Sequence, residues 1–505
     1  MQLFSFFGLL IAALCVFLFS MGLLSVLIFL YWYFRASRLD FPGPYHYPFF
    51  GSFFEFLKNR ERFYDWVHEC SNNYANEQGI VYFSFPMSRP YIFILKPEYV
   101  KHITFDHMEK YDRQPIYSIF DELLGKGIFN TDGVHWKNQR RIASHMFKKK
   151  ELDNNAFKIF TECSNKVCSK FIDKYIDTDT AFDFKDLMFR LTMDTICKMA
   201  FGYEVGCLDA NEMPEFAKAI DRCTKYLFYR VNNPLWKLKQ FIKSEDEQKY
   251  IEDISKLNNL CYEIINKKLK DEEENSDILS LFIQKAEITD INYLRDIVFS
   301  FIIAGRDTTA SSLTWLLYEL LKHPALYEIV ENEIDSVSKL KEEEDDVDDV
   351  DVTLNITPDR CEKLNVTVYA FKETLRLHPP VPLDLKYAKE DDILPGNVKI
   401  PKGAIVVYAP YIFGRLESIW GKDFSEFKPF RWENKEFSQY EFLSFNAGKR
   451  ICLGKPFAIL EAKVVMANLL SKYKFCLADK NFQPDYSLGI TSTMDGPLMV
   501  KAYRR

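Results

Sequence analysis

A lone cysteine between two glycines is the feature of this 505-residue sequence that most directly suggests chemistry. Cys452 follows Gly448 and Arg450 and precedes Gly454, and Phe445 opens the segment. Glycine allows backbone angles and a close approach that a Cβ atom would prevent. Because an apolar helical stretch follows, the cysteine lies at the start of a helix, where free N–H groups and the helix dipole favour a sulfur anion. The arrangement suits a loop that presents a thiolate to a haem iron, with Arg450 pairing with a haem propionate.

A second group of polar residues interrupts a long helical pattern. The periodicity predicts one helix from Asp290 to His323, roughly 50 Å long and stopped by Pro324. Its middle, residues 304–309, carries a glycine, an acid and two threonines, although glycine alone costs about 1 kcal/mol relative to alanine there. Places where local preferences are broken in this way are candidate functional sites. The alternative interpretation is a helix kink in which Thr308 bonds back to a carbonyl.

The cysteine segment resembles the haem-binding signature of the cytochrome P-450 family, Phe-x-x-Gly-x-Arg-x-Cys-x-Gly, and every fixed position is met. The resemblance implies haem b as the cofactor, with Cys452 as its axial thiolate and metal ligand. Thiolate ligation favours cleavage of the O–O bond. The implied haem-contacting residues of this segment are Phe445, Gly448, Arg450, Cys452 and Gly454. The alternative is a structural cysteine buried in a glycine-containing turn.

The interrupted helix resembles the oxygen-activation motif of the same family, Ala/Gly-Gly-x-Asp/Glu-Thr-Thr/Ser. This implies two catalytic residues: Thr308 would hydrogen-bond the bound dioxygen and hold water, and Asp307 would relay protons from solvent. Small Ala304 and Gly305 would let the haem lie against the helix. Because Ala304 stands where one group of fatty-acid hydroxylases has a glutamate that can esterify the haem, we expect no covalent haem link through this helix.

Two further segments resemble regions that meet the haem propionates in this family. Trp136 and Arg140 have the Trp-x-x-x-Arg spacing, which places both side chains on one face of a helix. Lys386 falls near the position where many members carry an arginine or a histidine. A lysine makes a weaker contact there because it cannot bind a carboxylate through two nitrogens.

Glu373 and Arg376 resemble the buried Glu-x-x-Arg pair of the family, with Arg431 as the third member. The i, i+3 spacing puts the first two residues on one helical face. We expect these three residues to be structural rather than catalytic.

Basic residues cluster near two of these segments, although the net charge of the chain is −7. In the resembled fold both segments lie on the side that receives electrons, so we expect a docking patch for an acidic NADPH-dependent flavoprotein reductase. Cytochrome b5 is a second expected electron donor, and a solvated helix face is the alternative. The negative net charge argues against a nucleic-acid binder. The basic residues are Lys137, Arg140, Arg141, Lys148, Lys149, Lys150, Lys449 and Lys455.

The first 34 residues contain no charged side chain. About 20 apolar residues span a bilayer, whereas the apolar core of a cleaved signal peptide is usually only about 7–15 residues. We therefore expect a single-pass protein of the endoplasmic reticulum membrane, with Arg35 and Arg38 placing the body of the chain on the cytosolic side. There the 11 scattered cysteines would stay reduced. Two glycosylation acceptor sequences, at Asn355 and Asn365, would be idle on that side.

The predicted organisation is a transmembrane anchor (1–34), a proline-rich linker (35–52) and a haem-thiolate catalytic domain (53–505). The predicted fold class is mainly α, the cytochrome P-450 fold with small β-sheets, plus the N-terminal transmembrane helix. Two acidic stretches, 271–277 and 342–351, are predicted to be solvated loops. Helices are expected through most of 136–377, and strands at 80–85, 91–95, 404–408 and 498–502.

Taken together, these resemblances imply a membrane-anchored haem-thiolate monooxygenase that uses O2 and two electrons from NADPH. Residues 127–133, 304–309 and 389–396 look like plant and fungal fatty-acid hydroxylases, which predicts omega-hydroxylation of a long-chain fatty acid. One alternative is a member acting on a sterol, a terpenoid or another lipophilic substrate. Another is an O2-independent haem-thiolate isomerase or dehydratase, which NADPH-dependent O2 uptake would separate from a monooxygenase. From a different class, a non-catalytic haem-binding sensor is a further alternative, which turnover of any lipid would exclude.

Overall fold

The computed structural model describes residues 2–36, 42–47, 50–86, 88–176, 178–233, 236–270, 277–285, 290–338 and 356–505. Parts of the predicted linker (37–41 and 48–49) and most of the two predicted acidic loops (271–276 and 342–351) lie outside these ranges. The chain divides into two compact units. Unit 1 comprises Met1–Tyr99 and Leu385–Tyr408, and unit 2 comprises Val100–Asp384 and Ala409–Arg505. The predicted boundaries at residues 34 and 52 stay predictions.

Helices make up most of the described structure, which confirms the predicted fold class. The first ten are α1 (Gln2–Ala36), α2 (Phe53–Asn59), α3 (Phe63–Tyr74), α4 (Pro97–Lys101), α5 (Asp121–Leu124), α6 (Gly133–Ala143), α7 (Lys149–Glu151), α8 (Phe157–Lys170), α9 (Phe184–Phe201) and α10 (Glu215–Asn232). They are followed by α11 (Trp236–Phe241), α12 (Glu245–Lys270), α13 (Ile278–Lys285), α14 (Ile291–Lys322), α15 (Pro324–Ser338), α16 (Pro358–Glu362), α17 (Asn365–Leu377), α18 (Pro410–Phe413), α19 (Glu417–Trp420) and α20 (Lys455–Lys472).

The strands are short and form small sheets, as predicted. They are β1 (Ile80–Phe83), β2 (Tyr91–Ile94), β3 (Tyr111–Asp112), β4 (Phe182–Asp183), β5 (Asp384–Ala388), β6 (Asp392–Leu394), β7 (Val398–Ile400), β8 (Ile405–Tyr408), β9 (Tyr473–Leu477), β10 (Tyr486–Ser487), β11 (Thr493–Met494) and β12 (Met499–Arg504). The four predicted strands correspond to β1, β2, β8 and β12.

The sheet of unit 1 contains β1, β2, β8 and β5 in that order. β1 and β2 pair antiparallel, with Val81 opposite Phe93, and β2 pairs in parallel with β8, with Ile92 opposite Val406. All four residues of β1 and of β8 are buried. β-Branched and aromatic side chains suit strands that are covered in this way. In unit 2, β4, β12 and β9 form a second sheet and β10 and β11 form a hairpin.

Helix α14 runs through unit 2 and is about 48 Å long. The Asp290 side chain caps it by accepting hydrogen bonds from the N–H groups of Asn292 (2.9 Å) and Tyr293 (3.4 Å). The helix ends at Lys322, just before His323 and Pro324, so the predicted bounds are confirmed to within one residue. Helices α9, α12, α17 and α20 pack around it, and apolar residues on either side of its polar centre, 304–309, belong to the apolar core of the unit.

Helix α1 contains the one stretch of the described residues that is long and apolar enough to cross a membrane. This stretch, Ile11–Tyr31, has 21 residues and a mean hydropathy of 2.7. Its side chains are almost all exposed, whereas a core helix of the same composition would be buried. Length, composition and exposure therefore agree with the predicted anchor.

Candidate active site

The cysteine loop closes on itself immediately before α20. The Cys452 N–H donates to the carbonyl oxygen of Phe445 at 2.8 Å, which brings the two ends of the predicted signature together. Gly448 has a φ of +64°, and a Cβ atom there would lie 2.4 Å from the carbonyl oxygen of Thr104. Glycine is therefore required at 448 both by the backbone conformation and by the close approach of the neighbouring chain.

The Cys452 thiol lies at the N-terminal end of α20, as predicted. Its side chain retains exposed surface, and yet burial raises the pKa of the thiol. Both observations hold for a sulfur that faces an internal space rather than bulk water. The N–H groups of Gly454 and Lys455 and the positive charge of Arg140 act in the opposite direction and lower the pKa of the thiol. Together with the charge of Lys455, the surroundings therefore offer an anionic sulfur four sources of stabilisation.

Arg450 is a buried cation whose donors are not all satisfied. Its Nη2 atom donates to the carbonyl oxygen of Thr131 (2.8 Å) and to Oδ1 of Asp132 (2.5 Å). Nη1 is buried and has no hydrogen-bond partner among the described residues. The guanidinium lies 4.4 Å from the Trp136 ring centroid, and burial lowers the pKa of Arg450 to about 10. An additional anion such as a haem propionate fits this environment.

The structure thus brings several predicted haem contacts into one place. Trp136 is buried, and the half-buried guanidinium of Arg140 lies 5.8 Å from its ring centroid. Burial lowers the pKa of Arg140, while the Cys452 sulfur raises it. In the described part of the chain, no three His, Cys, Asp or Glu side chains are grouped to hold a metal ion. One thiol beside arginines suits an iron that a macrocycle already holds by its other positions.

Thr308 forms the back-bond to its own helix that the kink interpretation predicted. Its hydroxyl donates to the carbonyl oxygen of Ala304 at 2.7 Å. Because the single hydroxyl proton is engaged, the oxygen is left as an acceptor. Both residues are half-buried. The hydroxyl oxygen is therefore oriented to accept a hydrogen bond from a water molecule, which fits the predicted role of holding water, whereas a bond to dioxygen would need the proton that Ala304 accepts.

Asp307 is buried and both of its carboxylate oxygens are engaged. Nη1 of Arg306 donates to Oδ1 at 2.7 Å, and the hydroxyl of Thr491 donates to Oδ2 at 3.1 Å. Burial raises the pKa of Asp307, and Arg306 lowers it. Sequence reasoning missed both partners. Arg306 stands at the variable position of the motif, and nothing in the sequence around Thr491 indicates a contact with α14.

Gly305 lies against helix α9, and its predicted contact with the haem stays a prediction. A Cβ atom on Gly305 would lie 2.5 Å from Cγ1 of Ile196 on α9. The Thr192 hydroxyl of the same helix donates to the Arg306 carbonyl oxygen at 3.0 Å. Gly305 therefore allows α9 to approach α14 closely. The predicted haem contact of Ala304 stays a prediction.

Lys386 lies in unit 1, in strand β5. Its side chain is buried, and Nζ lies 5.6 Å from the ring centroid of Tyr408 in the same unit. The expected contact with a haem propionate stays a prediction.

The predicted framework triad is confirmed. Glu373 and Arg376 are fully buried, with Nη2 to Oε1 at 2.7 Å and Nε to Oε2 at 2.9 Å. Nε of Arg431 reaches Oε1 of the same carboxylate at 2.9 Å. The indole N–H of Trp432, which sequence reasoning missed, donates to Oε2 at 2.9 Å. The group joins α17 to the segment before the cysteine loop, and so holds that loop in place.

The predicted basic patch is mostly exposed, and it contains an internal ion pair. Nζ of Lys149 lies 2.5 Å from Oε1 of Glu362, with both side chains more than 60% exposed. Sequence reasoning missed two further lysines near the patch, Lys372 and Lys463. Burial lowers the pKa of Lys372, as do the charges of Lys455 and Lys463. The exposed members of the predicted patch are Lys137, Arg141, Lys148, Lys149, Lys150 and Lys449.

Comparison with known proteins extends the resemblance over almost the whole chain. The sequence model of one family, described as Cytochrome P450, matches residues 41–500. Cytochrome P450 94A2 of Vicia sativa is 33% identical over 499 residues, which cover 93% of each chain. Cytochrome P450 704B1 of Arabidopsis thaliana is 34% identical over 93% of this chain and 96% of its own. Cytochrome P450 monooxygenase cyp1 of Mycosarcoma maydis is 30% identical over 93% of this chain and 76% of its own.

Proposed function

Because this chain belongs to the cytochrome P450 family and is therefore a haem-thiolate monooxygenase, we propose that it hydroxylates a long-chain fatty acid at the omega position. Its cofactor is haem b, bound through a cysteine thiolate, and the bound haem supplies the activation of O2. We also propose which residues act at the site, which protein donates the electrons and in which membrane the enzyme lies.

The observation that carries the assignment of the ligand is the position of Cys452. Its side chain keeps exposed surface at the start of α20, near two backbone N–H groups and Arg140. Arg450, two residues before Cys452, is buried, and its Nη1 atom has no hydrogen-bond partner among the described residues, so it can bind an anion. We assign Cys452 as the iron ligand, and Arg450, Trp136 and Arg140 as the groups that hold and orient the propionate side of the haem. Phe445, Gly448 and Gly454 shape the loop.

On the other side of the site, Thr308 and Asp307 are assigned to proton delivery. The Thr308 hydroxyl oxygen is held as an acceptor by its bond to Ala304, so it can fix a proton donor at the reacting oxygen. Asp307 is the nearest acid in sequence, and its burial favours the protonated form. A correctly placed proton directs the O–O bond to cleavage, whereas a misplaced one releases peroxide.

Support for a fatty acid comes from the segments at 127–133, 304–309 and 389–396, which look like those of plant and fungal fatty-acid hydroxylases. The similar proteins from Vicia sativa, Arabidopsis thaliana and Mycosarcoma maydis come from the same two kingdoms. An apolar chain with one polar end also suits an enzyme that takes its substrate from lipid through an N-terminal anchor.

The electron donor is proposed to be an NADPH-dependent flavoprotein reductase that docks on the basic patch, with cytochrome b5 as a second donor. We propose that the protein lies in the endoplasmic reticulum membrane with its body in the cytosol, an orientation that Arg35 and Arg38 favour. One of the two glycosylation acceptors cannot report on this orientation. Thr367, the third residue of the Asn365 acceptor, is buried and donates to Glu333 at 2.8 Å. The other, Asn355, lies outside the described residues.

The first test is the absorption of the reduced protein under carbon monoxide. Wild type should show the red-shifted band of a thiolate-bound haem, and Cys452→Ser should lose it. Cys476→Ser is the matched control, because Cys476 is a half-exposed thiol on β9, away from the loop. Folded wild-type protein that binds haem without this band would rule out the ligand assignment.

The second test identifies the substrate. Protein reconstituted with reductase and NADPH is given a panel of fatty acids, sterols and terpenoids, and the products are identified by mass spectrometry. We expect omega-hydroxy fatty acids. Turnover of sterols or terpenoids alone would reject the substrate proposal while leaving the monooxygenase intact.

A further inference from the structure

Arg306 lies between two carboxylates that belong to different helices. Its Nη1 atom donates to Oδ1 of Asp307, the next residue of α14, and to Oδ1 of Asp221 on α10, in both cases at 2.7 Å. The Arg306 side chain is fully buried and that of Asp307 is 3% exposed, whereas that of Asp221 is 53% exposed. One guanidinium nitrogen therefore connects a buried acid with a carboxylate that faces solvent.

The other donors of Arg306 are left open. Nε and Nη2 are buried and have no hydrogen-bond partner among the described residues. The guanidinium lies over the ring of Phe189, 4.7 Å from its centroid, which satisfies neither N–H group. Each buried donor left in this state costs about 1–3 kcal/mol, and internal water usually takes up such groups. The cluster is therefore built to hold water beside the two carboxylates.

We propose that Arg306 is a positioning residue for the acid Asp307, and that Asp221 regulates it by sharing the same guanidinium nitrogen. This inference rests on the proposed function, in which Asp307 delivers protons. While Asp221 shares Arg306, part of the positive charge is neutralised, and Asp307 can take up a proton from the solvent side. When α10 moves and the bond to Asp221 breaks, the full positive charge of Arg306 acts on Asp307. Asp307 then stays an anion and delivers no proton.

The charges around the cluster act in this direction. Burial raises the pKa of Asp307, Arg306 lowers it, and Asp221 raises it. Two other titratable groups face the cluster: Lys185 of α9 faces Asp221, and Cys207 faces Arg306. The Lys185 ammonium donates to the carbonyl oxygens of Met494 (2.5 Å) and Gly496 (3.1 Å), and the cation that acts on Asp307 is Arg306. Arg306 is thus the cation that decides whether Asp307 is charged.

The geometry also makes the link sensitive to small movements. Charge-assisted hydrogen bonds of this type lie at about 2.7–2.9 Å, so moving α10 outward by about 1 Å would break the Asp221 bond. The bond to Asp307 would survive, because both residues belong to α14. Binding that shifts α10 is therefore transmitted to the acid through a single donor.

The test compares Asp221→Asn with Glu215→Gln. Both remove one half-exposed carboxylate from α10, with side chains 53% and 56% exposed, but Glu215 pairs with Arg222 and Lys256 instead of Arg306. The carboxyl C=O band of Asp307 is titrated by infrared difference spectroscopy on the full-length, haem-loaded protein in the ferric state. Asp307→Asn identifies the band by removing it.

We expect the titration midpoint of Asp307 to move to lower pH in Asp221→Asn, by up to about one pH unit, and to stay in place in Glu215→Gln. Turnover with reductase, NADPH and a fatty acid gives a second readout. The pH above which the peroxide fraction of the consumed NADPH rises should fall in Asp221→Asn by a similar amount. A structural role of Asp221 alone would not move either midpoint.

An Asp307 midpoint that is the same in Asp221→Asn and wild type would overturn the regulation by Asp221. Arg306→Gln should move the midpoint to higher pH, and a fall or no change would overturn the role of Arg306. Asp221 lies at the surface, so its variant keeps the test decisive where Arg306→Gln does not fold. Failure of the proposed function is separable, because it shows in the wild type, as the absence of the red-shifted carbon monoxide band or of omega-hydroxy fatty acids, whereas the Asp307 midpoint is measured without turnover.

Discussion

The hydroxyl of Thr195 donates to Oε1 of Glu461 at 2.7 Å and so joins α9 to α20, the helix that follows the cysteine loop. Glu461 is fully buried, and its Oε2 has no hydrogen-bond partner among the described residues. Burial raises the pKa of Glu461 from 4.5 to about 8, with the Thr195 bond acting in the opposite direction. The acid is therefore mostly protonated in the folded protein at neutral pH.

Because Glu461 holds this proton in the folded state, we expect the free energy of unfolding to fall as the pH rises. Between pH 4.5 and about 8 the folded protein keeps a proton on Glu461 that the unfolded chain has released, so the free energy of unfolding falls with pH in this window and levels off above it. One group contributes at most about 1.4 kcal/mol per pH unit. Urea unfolding of wild type and Glu461→Gln, below and above the window, measures the difference. Equal pH dependence in the two proteins would contradict the prediction.

Glu373→Gln should disrupt the framework triad and so lower the free energy of unfolding. The carboxylate accepts hydrogen bonds from Arg376, Arg431 and Trp432, and its loss leaves the buried guanidinium of Arg376 without its counter-ion and Arg431 with only Asp423, at 3.6 Å. We expect a loss of about 3–5 kcal/mol, measured by chemical unfolding and by the yield of haem-loaded protein. Lys428→Gln is the control, because the exposed Lys428 pairs with surface acids and its loss should cost under about 1 kcal/mol. Similar losses in the two variants would refute the special role of the buried carboxylate.

Gly305→Ala should destabilise the α14–α9 contact. The added methyl group would come within 2.5–2.9 Å of three carbon atoms of Ile196, and overpacking of this kind costs about 1–3 kcal/mol. Ile196→Ala costs stability on its own by leaving a cavity. The double variant should therefore be more stable than the sum of the two single effects predicts. Additive effects in thermal unfolding would show that the two residues do not press on each other.

Thr308→Ala should uncouple NADPH oxidation from product formation. It removes the hydroxyl oxygen that is held as an acceptor by the bond to Ala304, so we expect product per NADPH to fall about tenfold or more while peroxide rises. Thr308→Ser keeps the hydroxyl and should stay mostly coupled. Peroxide and product are measured in the same reaction, and full coupling in the alanine variant would remove Thr308 from the proton path.

Charge changes on the basic patch should alter the rate of reduction in opposite directions. Lys148→Glu with Lys150→Glu should slow reduction by the reductase about tenfold at low ionic strength, with the effect shrinking as salt is added. Glu362→Gln should speed it up, because Lys149 loses the partner that neutralises it. Stopped-flow reduction under carbon monoxide measures both. Rates that are independent of salt and of these changes would show that the reductase docks elsewhere.

Features fixed by neighbouring residues were predictable from the sequence. The bounds of α14 followed from Asp290, which caps the helix, and Pro324, which stops it. The cysteine loop was predictable for the same reason, since the bond that closes it joins Cys452 to Phe445, seven residues earlier in the numbering. In each case the interacting groups are close along the chain, so residue type and spacing contain the information.

Contacts between distant segments were not predictable from residue type and spacing, and the one between Glu373 and Arg431, 58 residues apart, was predicted through the family resemblance. Arg450 and Thr131 are separated by 319 residues, and Asp307 and Thr491 by 184. A glycine in the middle of a helix shows that something approaches closely, but not what: the sequence motif favoured the haem at Gly305, and the structure places Ile196 there. The motif identifies the acid, whereas the cation and hydroxyl that hold it are defined only by the packing of helices and loop.

The centre of α14 is held unequally on its two sides. Towards α9 it is fastened by the tight fit at Gly305 and by the Thr192 hydroxyl, while towards α10 it is joined through the half-exposed Asp221. We therefore expect α9 and α14 to move together as one rigid unit, while α10 fluctuates relative to them with a larger amplitude. In a hydrogen-exchange experiment, the backbone amides of α9 and α14 should exchange slowly, and those of α10 should exchange faster.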